Sequence, residues 1–204
     1  ADILTLGSEI RKAEQSGADL LHIDVMDGVY VPNIACPLAL VAAADKITDL
    51  PLDVHMMTVC PGKYIEKLAE SGADYVTVHN DIGTADEVGA ILKDIRKHGM
   101  KAGLALSPNV PYTEALPFLE FADMILVMTV YPGFGGQKFI DMSEKIAAIR
   151  RISDRKYNID IEVDGGINAM TAMSVKSAGA NILVAGTAVF KSADPAAVIA
   201  ELRK

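Results

Sequence analysis

The run Leu21-His22-Ile23-Asp24-Val25-Met26 alternates aliphatic residues with an imidazole, a carboxylate and a thioether. Successive side chains of a strand point to opposite faces, so Leu21, Ile23 and Val25 share one face and His22, Asp24 and Met26 the other. The same inverted alternation returns in Leu52-Asp53-Val54-His55-Met56-Met57 and in Ile159-Asp160-Ile161-Glu162-Val163-Asp164. An exposed edge strand with a wet polar face accounts for any one of these runs. If the polar faces point inward, each ionisable group needs a partner, because an unpaired buried charge is costly. One divalent metal ion is such a partner. Two imidazoles, His22 and His55, with two carboxylates, Asp24 and Asp164, suit zinc, iron or manganese, whereas calcium and magnesium prefer all-oxygen shells. The competing reading has these groups hydrogen-bonding to one another.

Met26, Met57 and Met128 stand at similar late positions on their strands. They fit either as core filler or as a soft, water-excluding wall around a reactive intermediate. His79 also ends a strand, and a structural hydrogen bond is its expected role rather than metal ligation. A second constellation is glycine: Tyr131-Pro132-Gly133-Phe134-Gly135-Gly136-Gln137, Asp164-Gly165-Gly166 and Ala185-Gly186-Thr187 each follow a strand. Glycines let backbone N–H groups approach a phosphate closely, and a helix N-terminus adds a favourable dipole. Three such loops in succession favour a phosphate ligand, held by neutral backbone donors with Lys138 as a helper.

These residues need elements that bring them together. Strand-like runs occur at 20–26, 52–57, 75–79, 101–106, 124–130, 159–164 and 181–185, with helical patterns at 3–15, 37–46, 61–70, 85–98, 112–120, 138–152, 169–177 and 195–203. Strict alternation implies parallel strands with crossover helices, hence an α/β architecture. The phrases Ser16-Gly17-Ala18-Asp19, Ser71-Gly72-Ala73-Asp74 and Ser177-Ala178-Gly179-Ala180-Asn181 place a glycine at three helix-to-strand junctions, as ordinary turn chemistry requires. Seven strands fall one short of a (β/α)₈ barrel, and a doubly wound sheet is the competitor. Strand ends followed by glycine-rich loops favour the barrel. A first strand preceding Ala1 is therefore expected, since the strands at Leu20 and Asn181 would otherwise carry unpaired edges.

The 204 residues are 50% hydrophobic and 5% aromatic, which fits one domain over residues 1–204 with an aliphatic core. The formal net charge of −8 repels nucleic acid and anionic membranes. Cys36 and Cys60 form no disulfide framework, and with no signal-like start the expected setting is the cytoplasm.

The phrases HIDVMDG, VPN, DVHMM, VMTVYPGFGGQKF, EVDGG and VAGTAVF, in this order along nearly the whole chain, resemble the ribulose-phosphate 3-epimerase family. The resemblance implies a (β/α)₈ barrel, one divalent metal and a homo-oligomer. It also implies interconversion of D-ribulose 5-phosphate and D-xylulose 5-phosphate through a cis-enediolate. Carried over by motif, His22, Asp24, His55 and Asp164 bind the metal, and Asp24 and Asp164 exchange the C3 proton on opposite faces. Substrate and its phosphate fall to His55, Gly133, Phe134, Gly135, Gly136, Gly165, Gly166, Gly186 and Thr187, with Met26, Met57 and Met128 lining the intermediate. Val29 replaces a common histidine and Tyr131 a common Asn, Glu or Asp. The family's first strand, with its serine, has no counterpart. Two other functions compete: D-allulose-6-phosphate 3-epimerase, which shares the chemistry on a longer sugar, and a catalytically silent phosphosugar-binding protein.

Overall fold

The computed structural model covers residues 1–204, and the described residues include all but the side chains of Arg155 and Lys156. Its strands are β1 (Leu21–Asp27), β2 (Ile34–Ala35), β3 (Leu52–Met57), β4 (Tyr75–His79), β5 (Lys101–Leu106), β6 (Met124–Met128), β7 (Asp160–Asp164) and β8 (Ile182–Val184). The α-helices are α1 (Leu6–Gln15), α2 (Leu38–Asp45), α3 (Ile65–Glu70), α4 (Ala85–Lys97), α5 (Ser143–Lys156), α6 (Ala169–Ala178), α7 (Gly186–Phe190) and α8 (Pro195–Arg203).

One sheet runs in the order β2-β1-β3-β4-β5-β6-β7-β8. Every ladder is parallel except the short antiparallel pairing of β2 with Met26 and Asp27. A flat sheet would hold β1 and β7, five ladder steps apart, at about 24 Å. Yet His22 of β1 lies 3.5 Å from Glu162 of β7, so the sheet curls in the manner of a (β/α)₈ barrel. The eighth strand is not the expected barrel strand, because β2 only extends a hairpin at the end of β1. Among the described residues no ladder joins β8 back to β1.

The curl turns the inverted alternation inward. Ile23, Val25, Val54, Met56, Ile161 and Val163 belong to the main core, as expected for faces that meet the helices. Parallel register puts His22 beside Asp53, Asp24 beside His55, Met26 beside Met57 and Met128 beside Asp164, so these pairs share the inner face. Space there is tight. A Cβ on Gly103 of β5 would overlap the Thr77 hydroxyl and stand 2.9 Å from Thr77 Cβ. Gly103→Ala is expected to destabilise the fold by about 1–3 kcal/mol; an unchanged melting temperature would show that the inner layer has slack.

The recurring Ser-Gly-Ala phrase does more than turn the chain. Gly17, Gly72 and Gly179 adopt φ of 90°, 84° and 115°, conformations that favour glycine. The polar residue after the turn reaches back to the preceding strand. Asp74 accepts the Leu52 N–H at 2.8 Å and Asn181 accepts the Ile161 N–H at 2.7 Å. Asp123 accepts the Ala102 N–H at 2.9 Å in the same manner. Each such bond ties the start of one strand to the chain entering the next, which fixes register.

Three local expectations shift, and two short elements have none. The helix expected from 138 begins at Ser143, because Ile140 N–H donates to Thr129 O and Asp141 caps Ser143 N–H. The segment Tyr112–Phe118 is a 3₁₀ helix containing Pro117, which cannot supply an α-helical N–H. Pro61–Tyr64 is likewise a 3₁₀ turn leading into α3. The five-residue α7 and the two-residue β2 are too short to leave a periodic signal.

Candidate active site

The inner faces of β1, β3 and β7 deliver four groups to one point, His22 from near the start of β1 and Asp164 from the end of β7. One ligand-capable atom from each of His22, Asp24, His55 and Asp164 lies within 4.8 Å of all the others. Asp24 Oδ1 stands 3.0 Å from His55 Nδ1 and 3.3 Å from His22 Nε2. Both histidines have a second contact behind them. His22 Nδ1 meets Asp53 Oδ2 at 2.5 Å, and His55 Nε2 meets His79 Nε2 at 2.9 Å.

The charges are unevenly placed. Burial pushes the Asp24 carboxyl upward, but the adjoining His22 and His55 imidazoles outweigh it and hold Asp24 well below the usual carboxylate range. Burial and the neighbouring Asp24 carboxylate push Asp164 the other way. His22 is raised well above an ordinary imidazole, since Asp53 and Glu162 outweigh the burial that opposes its charging. A cluster that draws a proton onto an imidazole has an excess of negative charge.

That excess is one test of whether the residues fit a divalent cation, and they pass it. A second is His22 Nε2, which is buried and makes no well-formed hydrogen bond. A third is the donor set, two imidazoles and two carboxylates, which matches zinc, iron or manganese. Hydrogen bonding among the four groups satisfies Asp24 and His55 but leaves His22 Nε2 without a partner.

A cavity of about 920 Å³ opens over the cluster. His22, Asp24 and Asp164 reach it, and Met26, Met57 and Met128 form its apolar wall. His55 does not: it is fully buried behind Asp24. The cavity is also lined by Gly133, Phe134, Gly135 and Gly136 after β6, by Gly165 and Gly166 after β7, and by Gly186 and Thr187 at the start of α7. Lys138 lines it too.

Side chains hold these loops in place. Asn33, of the VPN phrase, donates from Nδ2 to Gly133 O at 2.8 Å, which joins the loop after β1 to the glycine loop after β6. Gln137 Nε2 donates to Tyr131 O at 2.6 Å and Phe134 O at 2.8 Å, closing that loop on itself. Thr129 Oγ1 lies 2.9 Å from Asp164 O and 2.6 Å from Gly165 O, pinning the turn that carries Asp164. Of the two family departures, Tyr131 lines the cavity, while Val29 is 72% exposed and does not.

Sequence reasoning gave Asp53, Glu162 and His79 no role in this cluster. Asp53 and Glu162 lie on the inner faces already marked by the alternation, level with His22 and two residues before His55 and Asp164 on their own strands. His79 is buried and does form a hydrogen bond, as expected, but its partner is one of the cluster's own histidines. Spacing alone does not reveal that pairing.

Known proteins resemble this chain along nearly its whole length. The model of the ribulose-phosphate 3-epimerase family matches residues 1–190. The ribulose-phosphate 3-epimerase of Bacillus subtilis (strain 168) is 45% identical over 206 residues, spanning 100% of this chain and 94% of that protein. The enzyme of the same name from Synechocystis sp. is 44% identical over 210 residues, spanning 100% and 89%. The crystal structure of 3-hexulose-6-phosphate synthase superposes with a TM-score of 0.67 at 22% identity, covering 97% of this chain and 93% of that one, a likeness of fold alone. With one family matched along almost its whole length, and that family's motifs gathered around one cavity, the chain belongs to the ribulose-phosphate 3-epimerase family.

Proposed function

We propose that this chain is a metal-dependent epimerase that interconverts D-ribulose 5-phosphate and D-xylulose 5-phosphate. The observation that carries the reading is the convergence of Asp24 and Asp164, from strands five ladder steps apart, on one cation-fitting cluster beside three glycine loops. His22, Asp24, His55 and Asp164 would hold a zinc, iron or manganese ion, which would supply a Lewis acid to polarise the C2 carbonyl and offset the charge developing on its oxygen.

The chain's own residues do the rest. Asp24 takes the C3 proton from one face, the C–H pair becomes the C2–C3 π bond, and the carbonyl pair moves onto O2. The resulting enediolate is planar. Asp164 then delivers a proton to the opposite face, the electrons return, and C3 is inverted; the reverse reaction exchanges the two roles. Met26, Met57 and Met128 keep water from the planar intermediate without donating protons to it. Backbone N–H groups of the loops at Gly133–Gly136, Gly165–Gly166 and Gly186–Thr187 receive the phosphate, aided by the opening turn of α7. Two free cysteines, Cys36 and Cys60, are consistent with work in the reducing cytoplasm.

In D₂O, metal-replete protein is expected to convert D-ribulose 5-phosphate into D-xylulose 5-phosphate carrying deuterium at C3, as NMR would show. Unlabelled product would exclude the two-acid route, and faster turnover of D-allulose 6-phosphate would overturn the pentose assignment. Chelation should lower the rate by about 10³-fold, corresponding to several kcal/mol of lost charge stabilisation, and added divalent ion should restore it. Undiminished activity in metal-free protein would remove the metal from the mechanism.

A further inference from the structure

The two ligand histidines present different nitrogens to the cluster, His22 its Nε2 and His55 its Nδ1. A neutral imidazole carries one N–H and one lone pair, and only the lone pair ligates a cation. Whichever group holds the far nitrogen therefore decides whether the near one is available.

At His22 the far nitrogen, Nδ1, is 2.5 Å from Asp53 Oδ2, while Glu162 Oε1, at 3.5 Å, is at the limit of hydrogen-bond reach. A carboxylate accepts and does not donate, so Nδ1 carries the hydrogen, and in the neutral ring that a cation requires the lone pair is on Nε2. At His55 the far nitrogen, Nε2, is 2.9 Å from His79 Nε2. One of these two nitrogens must donate. If His79 donated, His55 would carry its own hydrogen on Nδ1, against Asp24, and could not ligate. If His55 donates, its Nδ1 lone pair faces the cluster. His79 Nδ1 has no hydrogen-bond partner in either arrangement, so it does not discriminate between them. The two rings stack at 5.0 Å between centroids, and the Tyr30 ring centroid lies 4.7 Å from that of His79, so the buried His79 ring is held by two aromatic neighbours.

We infer that Asp53 and His79 are positioning residues that set opposite tautomers in the two metal-ligating histidines, Nδ1–H in His22 and Nε2–H in His55. The inference rests on the metal reading of the cluster above. It divides the inner layer by function: Asp24 and Asp164 touch substrate, whereas Asp53 and His79 act only through a histidine. Partners of this kind commonly change metal affinity by 10–100-fold when removed.

The direct test is nitrogen-15 NMR of histidine-labelled, zinc-loaded wild-type protein without substrate, in which each ring's coupling pattern reports which nitrogen is protonated. Nδ1–H at His22 together with Nε2–H at His55 supports the assignment, and the opposite tautomer at either ring overturns it. Affinity gives a second readout through chelator competition with Co²⁺, whose visible bands also report ligand geometry. Asp53→Leu and His79→Phe remove the acceptor and should weaken binding 10–100-fold. Asp53→Asn and His79→Gln keep an acceptor oxygen and should recover most of that loss. Equal losses in both sets would mean that packing alone is at stake and would defeat the inference. Wild-type protein that binds no divalent ion would instead defeat the metal reading on which it depends.

Discussion

Asp164→Asn is expected to lower the rate of epimerisation by about 10³-fold or more, within the range general acid–base catalysis spans, while leaving one half of the reaction running. The amide matches the carboxylate in shape and keeps one oxygen facing the cluster, but it neither donates nor accepts the transferred proton. Asp24, on the other side, remains able to remove a proton from its own face and return one there. In D₂O, therefore, the epimer that Asp24 deprotonates should acquire deuterium at C3 without inversion. Asp24→Asn should do the reverse, with exchange surviving only in the other epimer. This reciprocal labelling is a sharper signature than the loss of rate, because weakened metal binding would depress exchange in both epimers alike. Inversion at a rate near that of the unaltered protein in either variant would sink the two-acid mechanism.

The second large effect falls on a residue with no side chain. Gly165 follows Asp164 at φ 120°, and a Cβ there would overlap Val130 Cγ2 and stand 2.8 Å from Val130 N. Backbone in this region costs about 1–3 kcal/mol for other residues, and the clash with main chain adds to it. Gly165→Ala is expected to lower the melting temperature by several degrees. It should also raise KM for the phosphorylated sugar by about tenfold, because the turn that would receive phosphate must shift and takes Asp164 with it. Gly135 is the control for stability: a Cβ there meets nothing within 4 Å, so Gly135→Ala should melt with the parent. If the Gly165 variant keeps both its melting temperature and its KM, the tight turn is not what places the acid.

Much of this centre was legible because strand periodicity is simple. Three runs with charged residues on one face and aliphatic residues on the other are hard to reconcile with anything but a curled sheet once they recur, and the ligand set follows from their inward positions. Glycine loops were legible for the same reason, as residues whose only asset is backbone freedom. What spacing did not convey is pairing. That His55 leans on His79, or that Asp53 rather than Glu162 takes His22 Nδ1, depends on ring orientation and distances of an ångström. Nor did spacing place His55 out of contact with the cavity, since burial behind Asp24 is decided by packing across two strands. The missed start of α5 has a similar origin: Phe139 and Ile140 fit a helical stripe, but a hydrogen bond to Thr129 holds that stretch against β6 instead.

The side-chain ties made by Asp74, Asp123 and Asn181 stand where the strands begin. None of the three lines the cavity over the cluster. Alignment of the strands is thus entrusted to residues other than those that line the cavity. A change of sugar would be written into the loops that line the cavity while these ties keep the framework in step. The fold is in this sense modular within a single chain, with register and substrate contact held by different residues.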